Sequence, residues 1–188
     1  MAINRLNPDY PDAGLVQVVP TSVSVGSGSG SVDGNGAVTF SGATSVSLNG
    51  CFSSAYANYK VSIVIDDGSW GSGGDVTLNF RTTTDDTSNN YNSMTILIGN
   101  TGGTGSYGAG TRTFAYVMPY TATNKESLGV FDIHSPNRAE KTLMTFQSLS
   151  ETLSVVGGIF TNTTTQYTGF TISAGAMTGT IRVYGYRN

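Results

Sequence analysis

The segment Thr180–Tyr186 alternates strictly. Ile181 and Val183 fall on one side, and Thr180, Arg182, Tyr184 and Tyr186 fall on the other. A period of two is the mark of a half-buried strand. The same alternation places Val61, Ile63 and Ile65 on one face, and sets Leu128, Val130 and Asp132 against Gly129, Phe131 and Ile133. From about residue 37 the chain reads as a succession of strands: 37–40, 45–48, 59–65, 76–81, 93–99, 111–117, 127–133, 143–149, 153–160, 169–173 and 179–186. Clusters of turn formers separate them, among them DDGSWGSGG, TTTDDTSNN, NTGGTGSYGAG and TNTTTQ. No run of about 12 residues carries apolar positions at helical spacing; one helical turn is expected within CFSSAYANY. Many short strands between Gly, Asn and Asp turns predict an all-β protein, a β-sandwich or jelly roll over residues 37–188.

The beginning of the chain breaks this pattern. Residues 1–23 hold Pro8, Pro11 and Pro20, which exclude a helix or a central strand because proline fixes φ and lacks a backbone donor. The same stretch carries Leu6, Tyr10, Leu15, Val16 and Val18. An extended segment this apolar is expected to be an N-terminal arm that lies on a surface. Residues 24–36, around GSGSGSVDGNG, read as a Gly/Ser-rich linker, with a wide hairpin loop and an interdomain hinge equally open. No helix or Lys-Ser/Thr follows these glycines, so they do not cradle a phosphate.

Composition narrows the function classes. At 188 residues the chain can bury a core without disulfides. Only 11% of residues are charged and the net charge is −3, with scattered basic residues. That disfavours nucleic acid and anionic membranes as partners. No apolar run approaches the roughly 20 residues of a membrane-spanning helix. The first residues show no secretory h-region, which predicts assembly in the cytoplasm. The lone Cys51, beside Phe52, reads as a small buried hydrophobe.

Candidate chemistry is sparse. The one histidine, His134, has Ser135 and Asp132 nearby in sequence, but strand neighbours point to opposite faces and no nucleophile elbow is present. The carboxylate pairs Asp66-Asp67 and Asp85-Asp86 lack the spacing of a calcium loop and fit turns, where Asp accepts backbone bonds. No catalytic set, metal site or cofactor is predicted, and a glycan-cleaving enzyme is the least favoured reading. Trp70, the only tryptophan, sits in a loop where it could stack on a sugar or fold back onto the sandwich. Arg182, Tyr184 and Tyr186 make the second face of the last strand too aromatic for idle solvent, and a subunit interface is expected there.

The stretch FSGATSVSLNGCFSSAYANYKVSIVI, then QYTGFTI, then the final GTIRVYGYRN, resembles small virion structural proteins of tailed bacteriophages, of the decoration, head-fibre and tail-associated kinds, over about residues 40–188. The resemblance implies a jelly-roll domain that forms homotrimers on the virion. Its partners would be copies of itself and the major capsid protein or other virion proteins. The expectation is a capsid decoration (cement) protein whose residues 1–23 dock on the shell or an adjacent subunit. The alternative is a tail-fibre module with Trp70, Tyr91 and Tyr107 touching a host surface glycan or protein receptor.

Overall fold

A computed structural model describes residues 14–69, 75–99, 104–107, 111–118, 126–151 and 153–187. Among these the fold is all-β, a β-sandwich of jelly-roll type. In chain order the strands are β1 (Leu15–Val18), β2 (Ser22–Val25), β3 (Ser29–Val32), β4 (Val38–Asn49), β5 (Asn58–Ser69), β6 (Val76–Arg81) and β7 (Tyr91–Gly99). There follow β8 (Thr104–Tyr107), β9 (Thr111–Arg112), β10 (Ala115–Met118), β11 (Ser127–His134), β12 (Leu143–Ser150), β13 (Leu153–Thr161) and β14 (Gly169–Tyr186). All the pairings are antiparallel, in the order β10-β6-β14-β5-β11-β12-β13-β7-β8.

Two long strands join the layers. The first half of β14 pairs with β6 and with the second half of β4, whereas its second half pairs with β5 and with the first half of β4. Register shifts between Ser173 and Gly179 mark the crossover, where bulges let a strand bend from one layer into the other. The sheet thus folds over on itself, and β10 packs across onto β11, β12, β13 and β7. Gly28 and Gly42 sit at φ +68° and +62°, and a Cβ on Gly28 would stand 2.0 Å from the Ser41 carbonyl oxygen. Glycine is therefore required where the β2–β3 turn presses on β4.

The alternation seen in the sequence is the alternation of burial. In β12 every second residue, Met144, Phe146, Ser148 and Ser150, is buried and the others are exposed. Val61, Ile63, Ile65, Phe131, Ile133, Ile181 and Val183 are all fully buried. Under β6 and β14 the core is aromatic. Phe52 stacks on Phe170 at 5.8 Å and tilts against Tyr59 at 4.8 Å, while Phe80 lies 5.1 Å from Tyr167 and 6.2 Å from Tyr91. Cys51 belongs to this core, and burial pushes its thiol well above the ordinary range.

The structure corrects three boundaries. Residues 14–23 are not free to act as an arm: β1 pairs with the end of β14, and β2 pairs with β4. The prolines still exert their effect, because β1 pairs on one side only and stops before the buried Pro20. Residues 24–36 are no hinge; they turn β2 into β3, which forms a hairpin with Val38–Ser41. The two strands expected at 37–40 and 45–48 are the single β4, and those at 169–173 and 179–186 are the single β14. The expected helical turn in CFSSAYANY is an irregular turn instead.

Candidate interaction face

The outer surface of the larger layer is laid out in cross-strand rows fixed by register. One row runs His134, Leu143, Phe160, Asn92. The next runs Gln17, Tyr184, Lys60, Asp132, Thr145, Gly158, Met94. A third runs Arg182, Ser62, Val130, Gln147, Val156, Ile96, and a fourth Thr180, Val64, Leu128, Leu149, Ser154, Ile98. Because strand side chains alternate, every member of these rows points away from the core.

The two halves of this face differ in chemistry. The β14–β5–β11 half carries a polar knot. Lys60 Nζ lies 2.8 Å from Asp132 Oδ1 and 3.0 Å from Oδ2, the Tyr186 hydroxyl donates to Asp132 Oδ1, and Lys60 Nζ sits 6.0 Å from the Tyr186 ring centroid. Partial burial would raise the Asp132 pKa, but the bonds from Lys60 and Tyr186 outweigh it and hold the carboxyl below its ordinary value. The β12–β13–β7 half is apolar. Met94 is 70% exposed, Ile96 58%, Leu149 56% and Leu143 52%, Ile98, Val156 and Phe160 are exposed beside them, and Leu128 of β11 borders them next to Leu149. Between them the rows hold only Asn92, Thr145, Gln147, Ser154 and Gly158, with no charge.

The size of this half decides what it means. Its seven large side chains, with Leu128 bordering them on β11, leave roughly 700 Å² open, above the ~300–600 Å² of the largest patch on an ordinary monomer and near the ~800 Å² per partner of a standard interface. Seven of the ten exposed large hydrophobics among the described residues lie here and an eighth, Leu128, borders them on β11, so this is a concentration and not scatter.

A second depression, of about 310 Å³, is polar and lies where Thr82–Asn90 meets Thr163–Tyr167. Its carboxylates are engaged. Asp86 accepts from Tyr167 Oη at 2.6 Å, Asn90 Nδ2 at 2.9 Å and the Ser88 backbone at 2.9 Å. These bonds outweigh the desolvation that would raise its pKa, and the carboxyl is held below its ordinary value. Asp85 accepts from Thr171 Oγ1 and pairs with Arg81 Nε at 3.6 Å. Both acids therefore tie a loop down. Among the described residues, no group of three or more His, Cys, Asp or Glu could hold a metal ion.

The predicted site residues disperse. Leu6, Tyr10 and Trp70 lie outside the described residues. Leu15, Val16 and Val18 form β1, and Val18 packs against the core. Tyr107 ends β8. Tyr91 cannot be a receptor contact. It is fully buried, its hydroxyl donates to the Asp86 carbonyl at 3.0 Å and accepts from the Phe80 N–H at 2.9 Å, and desolvation raises its pKa. Arg182, Tyr184 and Tyr186 do share the outer face, but the Tyr186 hydroxyl is spent within its own sheet. His134 is exposed at the end of β11, and Asp132 turns to Lys60, not to Ser135, whose hydroxyl donates to Glu140 at 3.1 Å. Sequence reasoning missed the apolar half. Its signal was present in Leu-Met-Thr-Phe-Gln-Ser-Leu and Met-Thr-Ile-Leu-Ile, where both faces of a strand carry apolar residues.

No protein-family model matches the chain, and no curated protein matches it. Among solved structures it is similar to domain 4 of AbnA, a GH43 extracellular arabinanase from Geobacillus stearothermophilus in complex with arabinotriose (TM-score 0.42, 12% identity, 94% of each chain covered). It is also similar to peanut lectin with a 9mer peptide (0.42, 7%, 88% of this chain and 92% of that one) and to the Emp47p carbohydrate recognition domain (0.40, 10%, 95% and 100%). Likenesses of this degree bear on neither ligand nor activity.

Proposed function

We propose that this chain is a structural protein of a tailed-phage particle, a homotrimeric decoration (cement) module of the capsid. The observation that supports this reading is the uncharged, apolar β12–β13–β7 half of the outer face. A lone chain in water gains nothing by exposing Met94, Ile96, Val156 and Phe160 together, because each Å² left wet forgoes about 25 cal/mol of burial. Covering the patch with protein recovers that term, and a closed ring of identical subunits covers one patch per subunit. The chain's resemblance to small virion proteins in GTIRVYGYRN and QYTGFTI supplies the particle. Averaged imaging of assembled particles, with and without the gene for this chain, tests the reading. Trimeric density on the head that vanishes with the gene is expected; its absence from the head ends the proposal.

A second reading is a tail-fibre module that binds a host surface glycan or protein. The polar depression between residues 82–90 and 163–167 favours it, since Asn90 Oδ1 is buried there without a hydrogen-bond partner. Purified protein that adsorbs to host cells and competes with infection would favour the tail over the head.

A further inference from the structure

The apolar half of the outer face has a socket at its centre. Gly158 stands in register between Thr145 and Met94 and contributes no side chain. A Cβ there would meet only the Met144 carbonyl oxygen, at 3.7 Å, so the gap is open. Met94, Leu143, Phe160 and Thr145 rise around it and enclose about 370 Å³. That is at the small end of the ~300–1,000 Å³ of ligand pockets and suits one ring-bearing side chain. Lys141 brings a cation to the rim, its Nζ 5.7 Å from the Phe160 ring centroid, while its neighbour Glu140 accepts from Ser135.

We propose that this socket receives Tyr10 from another copy of the chain, an inference that rests on the assembly reading above. Tyr10 lies in Asn-Pro-Asp-Tyr-Pro-Asp, between Asp9 and Asp12, so its flanks complement the cation of Lys141. Pro8 and Pro11 fix φ and remove two backbone donors, so the segment loses less entropy on docking and has fewer N–H groups to satisfy. Tyrosine is a rigid, amphipathic anchor with two χ angles to order. Gly14, to which the Tyr10 segment is joined, lies at the same end of the same face, since Leu15 pairs with Tyr186 and the Gly14 carbonyl accepts from the Arg187 N–H at 3.1 Å.

Geometry selects the neighbour over the chain's own socket. Tyr10 is four residues from Gly14, a reach of about 14 Å when fully extended. From β1 to β13 the order is β1, β14, β5, β11, β12, β13, five spacings and about 24 Å. The tyrosine ring falls short of its own Gly158 and must cross to a second copy.

Full-length Tyr10→Cys and Thr145→Cys single variants, mixed and oxidised, test this directly. The native Cys51 is buried and does not compete. A disulfide linking position 10 of one chain to position 145 of another, found by peptide mass, is expected. Only 10–10 or 145–145 linkages overturn the proposal. Two further variants separate it from the reading beneath it. Gly158→Val fills the socket, and with Tyr10→Ala each should weaken self-association about tenfold while the pair together does little more, as expected of two halves of one contact. If Ile96→Asp dissociates the protein but neither of these does, the face is an interface and the Tyr10 inference is wrong. If none of the three alters association, both fall.

Discussion

Replacing Asp86 with alanine should be among the most damaging single changes outside the core. Its carboxylate accepts three bonds, from Tyr167 Oη, Asn90 Nδ2 and the Ser88 N–H. The Tyr167 ring is fully buried against Phe80, so its hydroxyl would lose its acceptor in a place water reaches poorly. An orphaned buried donor costs about 1–3 kcal/mol, and bonds to a charged acceptor contribute about 1.5–3. Asn90 and Ser88 are on the wetter side of the loop and recover part of their loss from solvent, so the sum settles near 3 kcal/mol. For a chain of this length that is a fall of about 6–12 °C in Tm. Tyr167→Phe, which leaves Asp86 its other two donors, should cost about 1 kcal/mol. Urea melts of both variants measure the difference. An Asp86→Ala cost below about 1 kcal/mol would refute the view that this carboxylate holds the loop.

Other consequences follow from the same geometry. Gly157→Ala places a Cβ 2.5 Å from Phe146 Cζ and 2.7 Å from the Met94 carbonyl, and should cost about 1–3 kcal/mol by calorimetry through overpacking. Asp132 is held below its ordinary pKa, so its contribution to stability is present above about pH 4 and is lost as pH falls through the depressed value; Asp132→Asn should flatten the acid limb of the stability–pH curve. Cys51, fully buried, should resist thiol reagents in the folded protein and react only on unfolding.

Period-two patterns announced the sheet, because one face of each such strand had to be apolar. Val61, Ile63, Ile65, Ile181 and Val183 were legible for that reason. Strand continuity was not. Gly42, at φ +62°, reads as a break, yet β4 passes through it, and the Ser-Ala-Gly-Ala stretch that reads as a turn is the bend in β14. β1, β2 and β3 escaped notice because prolines and Gly-Ser runs mask short strands whose order comes from pairing with β4 and β14. Tyr91 was misread since a loop-edge tyrosine looks the same in sequence whether its ring turns out or in; the Asp86 carbonyl and Phe80 amide turn it in. The apolar half of the outer face lay hidden in the most hydrophobic strands, where an excess of apolar residues resembles a deeper core.

Sedimentation velocity on the full chain, beside an Ile96→Asp/Val156→Asp variant, tests the central claim that this half-face exists to be covered by protein. Both positions are exposed in the single chain, so the variant should melt within a few degrees of the parent. The account predicts a trimer for the parent and a folded monomer for the variant. A parent that stays monomeric at high concentration, or a variant that keeps the parent's mass, would contradict it.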